Sequence, residues 1–182
     1  MMANSVSAQV SFNHALGGAL YAKSFSITVN GTTYTGAGSA PGITYAPRLN
    51  FVSLGDNATL SAGTRIGLGF SMTANSRTGG SGSFVFDLPF LLHFNLGHAC
   101  NKDSDKNFGF FIGAGYAYNT LAEAGNGYSF GGSSTGPVVD LGVRFAVKGR
   151  SFTINTSYMV GMAEYGGSVL SLGAAYNLGM RD

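Results

Sequence analysis

Every second residue along positions 83–96 is a large hydrophobic one. One alternate set consists of large hydrophobic residues: Phe84, Phe86, Leu88, Phe90, Leu92, Phe94 and Leu96. The intervening set is Ser83, Val85, Asp87, Pro89, Leu91, His93 and Asn95. A period of two predicts a β-strand with two unlike faces, because successive side chains point to opposite sides. Strands of globular proteins average about 5–6 residues, so this length favours a strand that crosses a lipid bilayer.

Seven further segments repeat the alternation. The eight predicted strands cover residues 10–21, 43–54, 59–72, 83–96, 108–119, 138–147, 152–162 and 169–178. Each is close to the roughly 9–11 residues that a tilted strand needs to cross a bilayer. The pattern therefore predicts an all-β fold, an eight-stranded antiparallel up-and-down transmembrane β-barrel. An even number of strands returns both ends of the chain to one side.

Two short connections suggest a register for neighbouring strands. A turn at residues 55–58 would place Tyr45 opposite Leu68 and Arg48 opposite Arg65. A turn at residues 148–151 would place Phe145 opposite Ile154. Both pairings keep the hydrophobic residues on one face, as a sheet with one apolar side requires. Longer connections are predicted at the other rim, over 23–42, 73–82, 120–136 and 163–168.

Composition agrees with an outer wall that faces lipid. Charged residues are 10% of the chain, against about 25% in soluble domains, and 29 of the 182 residues are glycine. The net charge of +2 forms no basic stripe, so no nucleic-acid partner is predicted. Val6-Ser7-Ala8 looks like the end of a secretory signal, so we expect residues 1–8 to be a signal-peptide remnant and residues 9–182 the barrel domain. An ordinary disordered terminus is the alternative for residues 1–8.

Aromatic residues on the hydrophobic face cluster near the predicted strand ends. One girdle, near the short turns, would comprise Phe12, Phe51, Phe94, Phe110, Phe145, Phe152 and Tyr176. The other would comprise Tyr45, Phe70, Phe84, Tyr116 and Tyr118. Two such girdles are typical of barrels whose aromatic side chains lie at the membrane interfaces.

These strands and girdles resemble the small outer-membrane β-barrels of the outer membrane protein A and X type. The glycine-rich texture and the start at Ser7-Ala8-Gln9 resemble the outer-membrane β-barrel domains of Bacteroidota. The resemblance covers roughly residues 9–182 and implies a bacterial outer membrane, with both termini periplasmic. It also implies that the hydrophobic face contacts the outer-membrane lipids, lipopolysaccharide and phospholipid. The chain departs from proteobacterial relatives because Tyr176 is followed by six residues and no terminal aromatic.

Charged side chains occur in the intervening, inward set. The candidate interior network is Arg48, Arg65, Asp87, His93, Asp140 and Arg144. Buried guanidinium groups need compensation, so Asp87 and Asp140 are the expected partners of the arginines. An eight-stranded barrel is only wide enough inside for side chains, so we predict a polar and largely plugged interior. A narrow pore for ions or small solutes is the alternative.

Catalysis is not predicted. Some small barrels that resemble this chain are lipid A acylases or deacylases with a Ser–His pair. His14, His93 and His98 are the three histidines here, and none lies in a His-x-Ser sequence. The prediction is therefore no enzyme, no catalytic residue, no cofactor and no metal.

The segment 25–35 reads as a projecting hairpin around Asn30-Gly31, a favoured two-residue turn. Its candidate interaction residues are Phe25, Ile27, Val29, Asn30, Gly31 and Tyr34. An exposed strand edge can pair with another protein, so adhesion, or docking of a monomeric barrel to an envelope complex through loop 23–42, is expected. A disordered surface loop is the alternative for this segment. The alternative for the whole chain is a soluble lipocalin-like barrel that binds an apolar ligand. In such a barrel the hydrophobic face would point inward and the face with the arginines and aspartates outward.

Overall fold

The computed structural model describes residues 6–7, 10–29, 32–75, 79–100, 104–125, 128–162 and 167–181. Ten strands occur in this part of the chain: β1 Val6–Ser7, β2 Ser11–Val29, β3 Thr32–Leu54, β4 Ala58–Thr64, β5 Ile66–Asn75, β6 Gly79–Gly97, β7 Phe108–Gly125, β8 Tyr128–Val147, β9 Arg150–Met159 and β10 Val169–Arg181. Of the expected signal remnant, only Val6 and Ser7 lie within the described residues. Asn30 and Gly31 of the expected hairpin turn lie outside them.

The sheet closes into a ring of antiparallel neighbours. Strands β3, β2, β10, β9, β8, β7 and β6 pair in that order, and both β4 and β5 pair with β6 on one side and β3 on the other. Because β4 and β5 follow one another in the same crossing, the wall has eight crossings, and the predicted eight-stranded antiparallel barrel is confirmed. No helix in the described ranges is long and apolar enough to span a membrane.

Two prolines flank the break between β4 and β5. Arg65 lies at the break, and pairing with β3 and β6 is lost opposite Pro47 and Pro89. A proline has no backbone N–H to donate to a ladder, so strand pairing is weakest where prolines occur. The interruption on both sides of Arg65 lets its backbone leave regular strand geometry.

Several strands are longer than the alternation predicts. The expected loop 23–42 is mostly strand, because β2 runs to Val29 and β3 begins at Thr32. The expected loop 120–136 is likewise divided between β7 and β8, and the expected loop 73–82 between β5 and β6. We call the end with the short connections the turn rim, and the opposite end, to which these ladders extend, the ribbon rim.

The predicted register is wrong by two residues in both hairpins. Phe145 pairs with Phe152 instead of Ile154, because the β8–β9 turn contains only Lys148 and Gly149. Their φ angles of 50° and 76° fit a two-residue hairpin turn of the primed type. Between β3 and β4 the ladder is irregular after Asn50, and Tyr45 pairs with Ile66 instead of Leu68. A shift of two residues leaves every side chain on its predicted face.

The hydrophobic face of the wall points outward. Phe90 is 63% exposed and Leu68 is 43% exposed, whereas Asp140 is 2% exposed inside the ring. A lipocalin-like barrel would bury the first two and expose the third. The soluble alternative is therefore wrong for this fold.

The lumen is layered along its height. Polar side chains fill the half next to the turn rim, and two apolar clusters lie toward the ribbon rim. Buried polar residues separate these clusters along the strands, with Asp87 between Val85 and Leu91 on β6 and Asn119 between Ala117 and Leu121 on β7. The lower cluster is Leu91, Ala117, Val138, Met159 and Val169. The upper cluster is Tyr21, Ala40, Val85 and Leu121.

Candidate functional site in the barrel lumen

All six charged side chains of the expected interior network lie inside the barrel. They are only 2–8% exposed: Arg48, Arg65, Asp87, His93, Asp140 and Arg144. Strand alternation explains this placement, since each belongs to the alternate set that faces away from the hydrophobic wall. Five of them line one cavity, where hydrogen bonds divide them between two groups, and Asp87 lies outside that lining.

Asp140 is the centre of the first group. Its Oδ1 atom accepts a hydrogen bond from Arg65 Nη2 at 2.8 Å and from Asn155 Nδ2 at 3.4 Å. Its Oδ2 atom lies 2.9 Å from His93 Nε2, which donates to the carboxylate. Arg65 reaches Asp140 across the lumen, because β6 and β7 separate the β4–β5 break from β8 in the ring. This group therefore ties opposite walls together.

Asn95 is the centre of the second group. Its Oδ1 atom accepts hydrogen bonds from Arg48 Nη1 at 3.0 Å and Arg144 Nη1 at 2.9 Å. Arg48 Nη2 also donates to the backbone oxygen of Ala99 at 2.6 Å. The guanidinium carbon of Arg144 lies 4.2 Å from the centre of the Phe111 ring, a cation–π contact. Among the described residues, neither arginine forms an ion pair with a carboxylate.

The expected pairing of the second aspartate with an arginine is wrong. Asp87 Oδ1 accepts a hydrogen bond from Asn119 Nδ2 at 3.1 Å instead. Asp87 lies six residues before His93 on β6, about 20 Å along the strand, so it is far from the Asn95 group. The expected position of Arg48 opposite Arg65 is also wrong, because Arg48 pairs with Gly63.

The two arginines on Asn95 repel one another. Their Nη1 atoms are at most about 6 Å apart, since both lie on the same oxygen. Two unit charges at about 6 Å repel by about 3 kcal/mol at an effective dielectric constant of about 20. An amide is neutral and cannot offset this repulsion, and arginine does not lose its proton in proteins. The Asn95 group therefore holds positive charge in excess of its protein partners.

Glycines under the large inward side chains make this packing possible. A Cβ atom on Gly113 would overlap the His93 ring, and one on Gly142 would overlap the Phe111 ring. A Cβ atom on Gly67 would likewise overlap the Tyr21 side chain. Any larger residue at these three positions would collide with the ring beside it.

Sequence reasoning missed several members of the site. Asn95, Phe111 and Asn155 were not among the candidates, although all three fall in the inward alternate set. Strict application of the alternation to every residue could have found them. That these residues contact Arg48, Arg144 and Asp140 can be seen only from the pairing of different strands, which the alternation along one strand does not reveal.

All twelve girdle residues lie on the outer wall. Eight are exposed: Phe12, Tyr45, Phe70, Phe84, Phe110, Tyr116, Tyr118 and Tyr176. Four are half-buried: Phe51, Phe94, Phe145 and Phe152. Near the turn rim, the ring of Phe152 lies 6.0 Å from that of Phe145 and 5.5 Å from that of Tyr176.

The hairpin expected at 25–35 is present as a backbone ladder. Phe25 pairs with Gly36, Ile27 with Tyr34 and Val29 with Thr32. Its turn at Asn30 and Gly31 lies outside the described residues. The strands of this hairpin thus continue the barrel wall without a break.

The histidines have polar partners of several kinds. His98 Nδ1 lies 2.7 Å from the backbone oxygen of Lys106, and its Nε2 lies 2.8 Å from Ser151 Oγ. His14 Nδ1 lies 3.3 Å from the hydroxyl of Tyr45 on the outer wall. In the described part of the chain, no three His, Cys, Asp or Glu side chains are grouped so that they could hold a metal ion.

Comparison with known proteins shows the fold. No family model and no curated protein sequence matches the chain. Neisserial surface protein A is similar in structure, with a TM-score of 0.54 and 16% identity over 95% of this chain and 97% of that one. The outer membrane protein OprG from Pseudomonas aeruginosa is similar with a TM-score of 0.52 and 14% identity, over 92% of this chain and 95% of that one. Ail of Yersinia pestis, in complex with the heparin analogue sucrose octasulfate, has a TM-score of 0.49 and 15% identity, over 93% of this chain and 99% of that one.

The alignments with Neisserial surface protein A and OprG cover 95% and 92% of this chain, nearly the whole ring described above. Identities of 14% and 16% show a shared fold, but they do not assign roles to individual residues of this chain. The protein has the fold of the small eight-stranded outer-membrane β-barrels.

Proposed function

We propose that this protein is an integral barrel of the bacterial outer membrane with both termini periplasmic, acting as a structural or interaction protein through its ribbon rim. The outer wall contacts lipopolysaccharide and phospholipid, and the barrel is a monomer. The turn rim, which holds the short connections, would face the periplasm, because outer-membrane barrels have short periplasmic turns. The ribbon rim would then face outward.

The layered lumen is the observation that carries the proposal of a plugged barrel. Arg65 crosses the ring to Asp140, and the two apolar clusters lie between this ion pair and the ribbon rim. A continuous water path would have to pass the Arg65–Asp140 pair and then both apolar clusters, with the hydrogen-bonded Asp87 and Asn119 between them. This arrangement favours a plug over a pore.

We expect the refolded protein to give no stepwise conductance in planar bilayers. A mobile ion would have to disrupt the Arg65–Asp140 pair and cross both apolar clusters, and so the barrier is high. Single-channel recording in concentrated KCl measures this directly. Steps that Arg65→Ala alters and the outward-facing Leu92→Ala leaves unchanged would contradict the plug and favour a narrow pore.

The hairpin of β2 and β3 supports a role in interaction. Pairing of β2 with β10 ends at Lys23, and pairing of β3 with β5 begins at Gly42. From Phe25 to Gly36, the described ladder pairs only with itself. This ribbon leaves two strand edges on which a partner's strand could add.

Shortening this ribbon should remove partner binding and leave the barrel folded. Ser24 pairs directly with Ala37, so Asn-Gly can replace residues 25–36 as a two-residue turn. The matched control replaces residues 123–130 with Asn-Gly, joining Ala122 to its partner Gly131. We expect partners crosslinked in native outer membranes and recovered in mild detergent to be lost from the first variant and kept by the second.

Folding is followed by the resistance of the barrel to sodium dodecyl sulfate before heating. If the first variant keeps every crosslinked partner, the ribbon is not the interaction surface. If the variant fails to refold while the control refolds, the ribbon is part of the folding unit and the interaction role loses its support.

A further inference from the structure

A cavity of about 60 Å³ lies inside the barrel among the charged residues. Arg48, Arg65 and Arg144 line it together with Asp140 and Thr64. A single water molecule needs about 10–15 Å³ of such a cavity, so there is room for a small ion with part of its hydration shell. Phe111 and Leu91 contribute apolar side chains to its lining.

The lining carries unbalanced positive charge. The lining contains three arginines and one aspartate, and that aspartate, Asp140, already forms an ion pair with Arg65. The next carboxylate, Asp87, is held by Asn119 outside the cavity lining. Uncompensated buried charge is costly, and so the Arg48 and Arg144 cations require a negative partner.

Unused hydrogen-bond donors point to the same place. The Nε atom of Arg48 and the hydroxyl of Thr64 are buried and have no hydrogen-bond partner among the described residues. Arg48 as a whole is only 7% exposed. A buried donor without a partner loses the hydration free energy that it had in water. An anion in the cavity would accept from these donors and offset the excess charge.

We propose that the lumen binds a small monovalent inorganic anion, such as chloride, between the guanidinium groups of Arg48, Arg65 and Arg144. The ion is a resident counter-ion of the plug. Its site depends on size, because the cavity admits a halide and excludes a large organic anion. It is independent of the role assigned above to the ribbon rim.

The test measures the thermal unfolding midpoint of the full chain in detergent, by the circular dichroism of its β-sheet, at fixed ionic strength. Sodium gluconate is replaced stepwise by sodium chloride or sodium bromide. Ligand at about ten times its dissociation constant should raise the midpoint by roughly 3–6 °C. The midpoint should saturate with halide concentration, and Arg144→Gln should lose the shift.

Arg150→Gln is the matched control, because Arg150 is exposed at the β8–β9 turn and does not line the cavity. It should keep the full halide shift. Equal midpoints of the unsubstituted protein in gluconate and chloride, or an undiminished shift in Arg144→Gln, would overturn the proposal. If Arg144→Gln does not refold, crystals of the unsubstituted protein grown in bromide decide the matter: an anomalous peak between the three arginines supports the site, and its absence refutes it.

Discussion

Asp140→Asn should lower the free energy of unfolding by about 3–5 kcal/mol, the usual cost of removing one partner from a buried ion pair. The substitution keeps the shape of the side chain but removes the charge that Arg65 and His93 both contact. Arg65 would then be a third arginine without a carboxylate partner in the same half of the lumen. Urea unfolding in lipid vesicles, followed by circular dichroism, measures the change.

Asp105→Asn is the matched control for this prediction. Asp105 lies 3.6 Å from Lys106 Nζ, but the two side chains are 84% and 55% exposed. Exposed pairs contribute about 0–1 kcal/mol, so this variant should unfold almost as the unsubstituted protein does. Equal losses in the two variants would show that the Arg65–Asp140 pair does not stabilise the lumen. A double variant, Arg65→Met with Asp140→Asn, should recover part of the loss, because it leaves no unpaired charge at this pair.

Gly113→Ala should cost about 1–3 kcal/mol, a large effect for the addition of one methyl group. The new Cβ would overlap the His93 ring, and His93 cannot retreat without breaking its hydrogen bond to Asp140. The ring also packs edge-on against Phe111, 5.3 Å between centroids. Movement of His93 would therefore disturb both the ion-pair group and the support of Arg144.

Gly132→Ala provides the comparison for Gly113→Ala. A Cβ at Gly132 meets no atom of the described residues within 4 Å. Substitutions of this kind usually change stability by less than about 0.5 kcal/mol. If both glycine variants lose the same stability, the effect comes from strand propensity, and tight packing under His93 is not its cause.

The faces of the strands could be predicted from the sequence, but the register could not. Alternation of period two places Phe90 outside and His93 inside whatever their neighbours are. The pairing of Tyr45 with Ile66 depends on an irregularity after Asn50, and the pairing of Phe145 with Phe152 depends on a turn of only two residues. Either register satisfies the alternation equally well, because shifts by two residues conserve the faces.

The members of the lumen could be predicted, but their partners could not. Asp87 and Asp140 both lie in inward sets, and the sequence gives no reason to prefer one as the partner of Arg65. Contacts across the ring decide it, since Arg65 bonds Asp140 and Asp87 bonds Asn119. Such contacts depend on the register and stagger of all eight crossings. The apolar clusters have another cause: Val85 and Leu91 lie in the intervening set of β6, and alternation alone does not show that they pack with residues of other strands.

The interruption at Arg65 makes one side of the wall mechanically weaker than the rest. Backbone pairing with β3 and β6 is lost opposite Pro47 and Pro89 at about one height. The ladders of β2 with β3, β6 with β7, β7 with β8 and β8 with β9 stay continuous. We expect lateral pressure on the cylinder to deform it first at this point. The bond from Arg65 to Asp140 on β8 would then limit how far the cross-section can flatten.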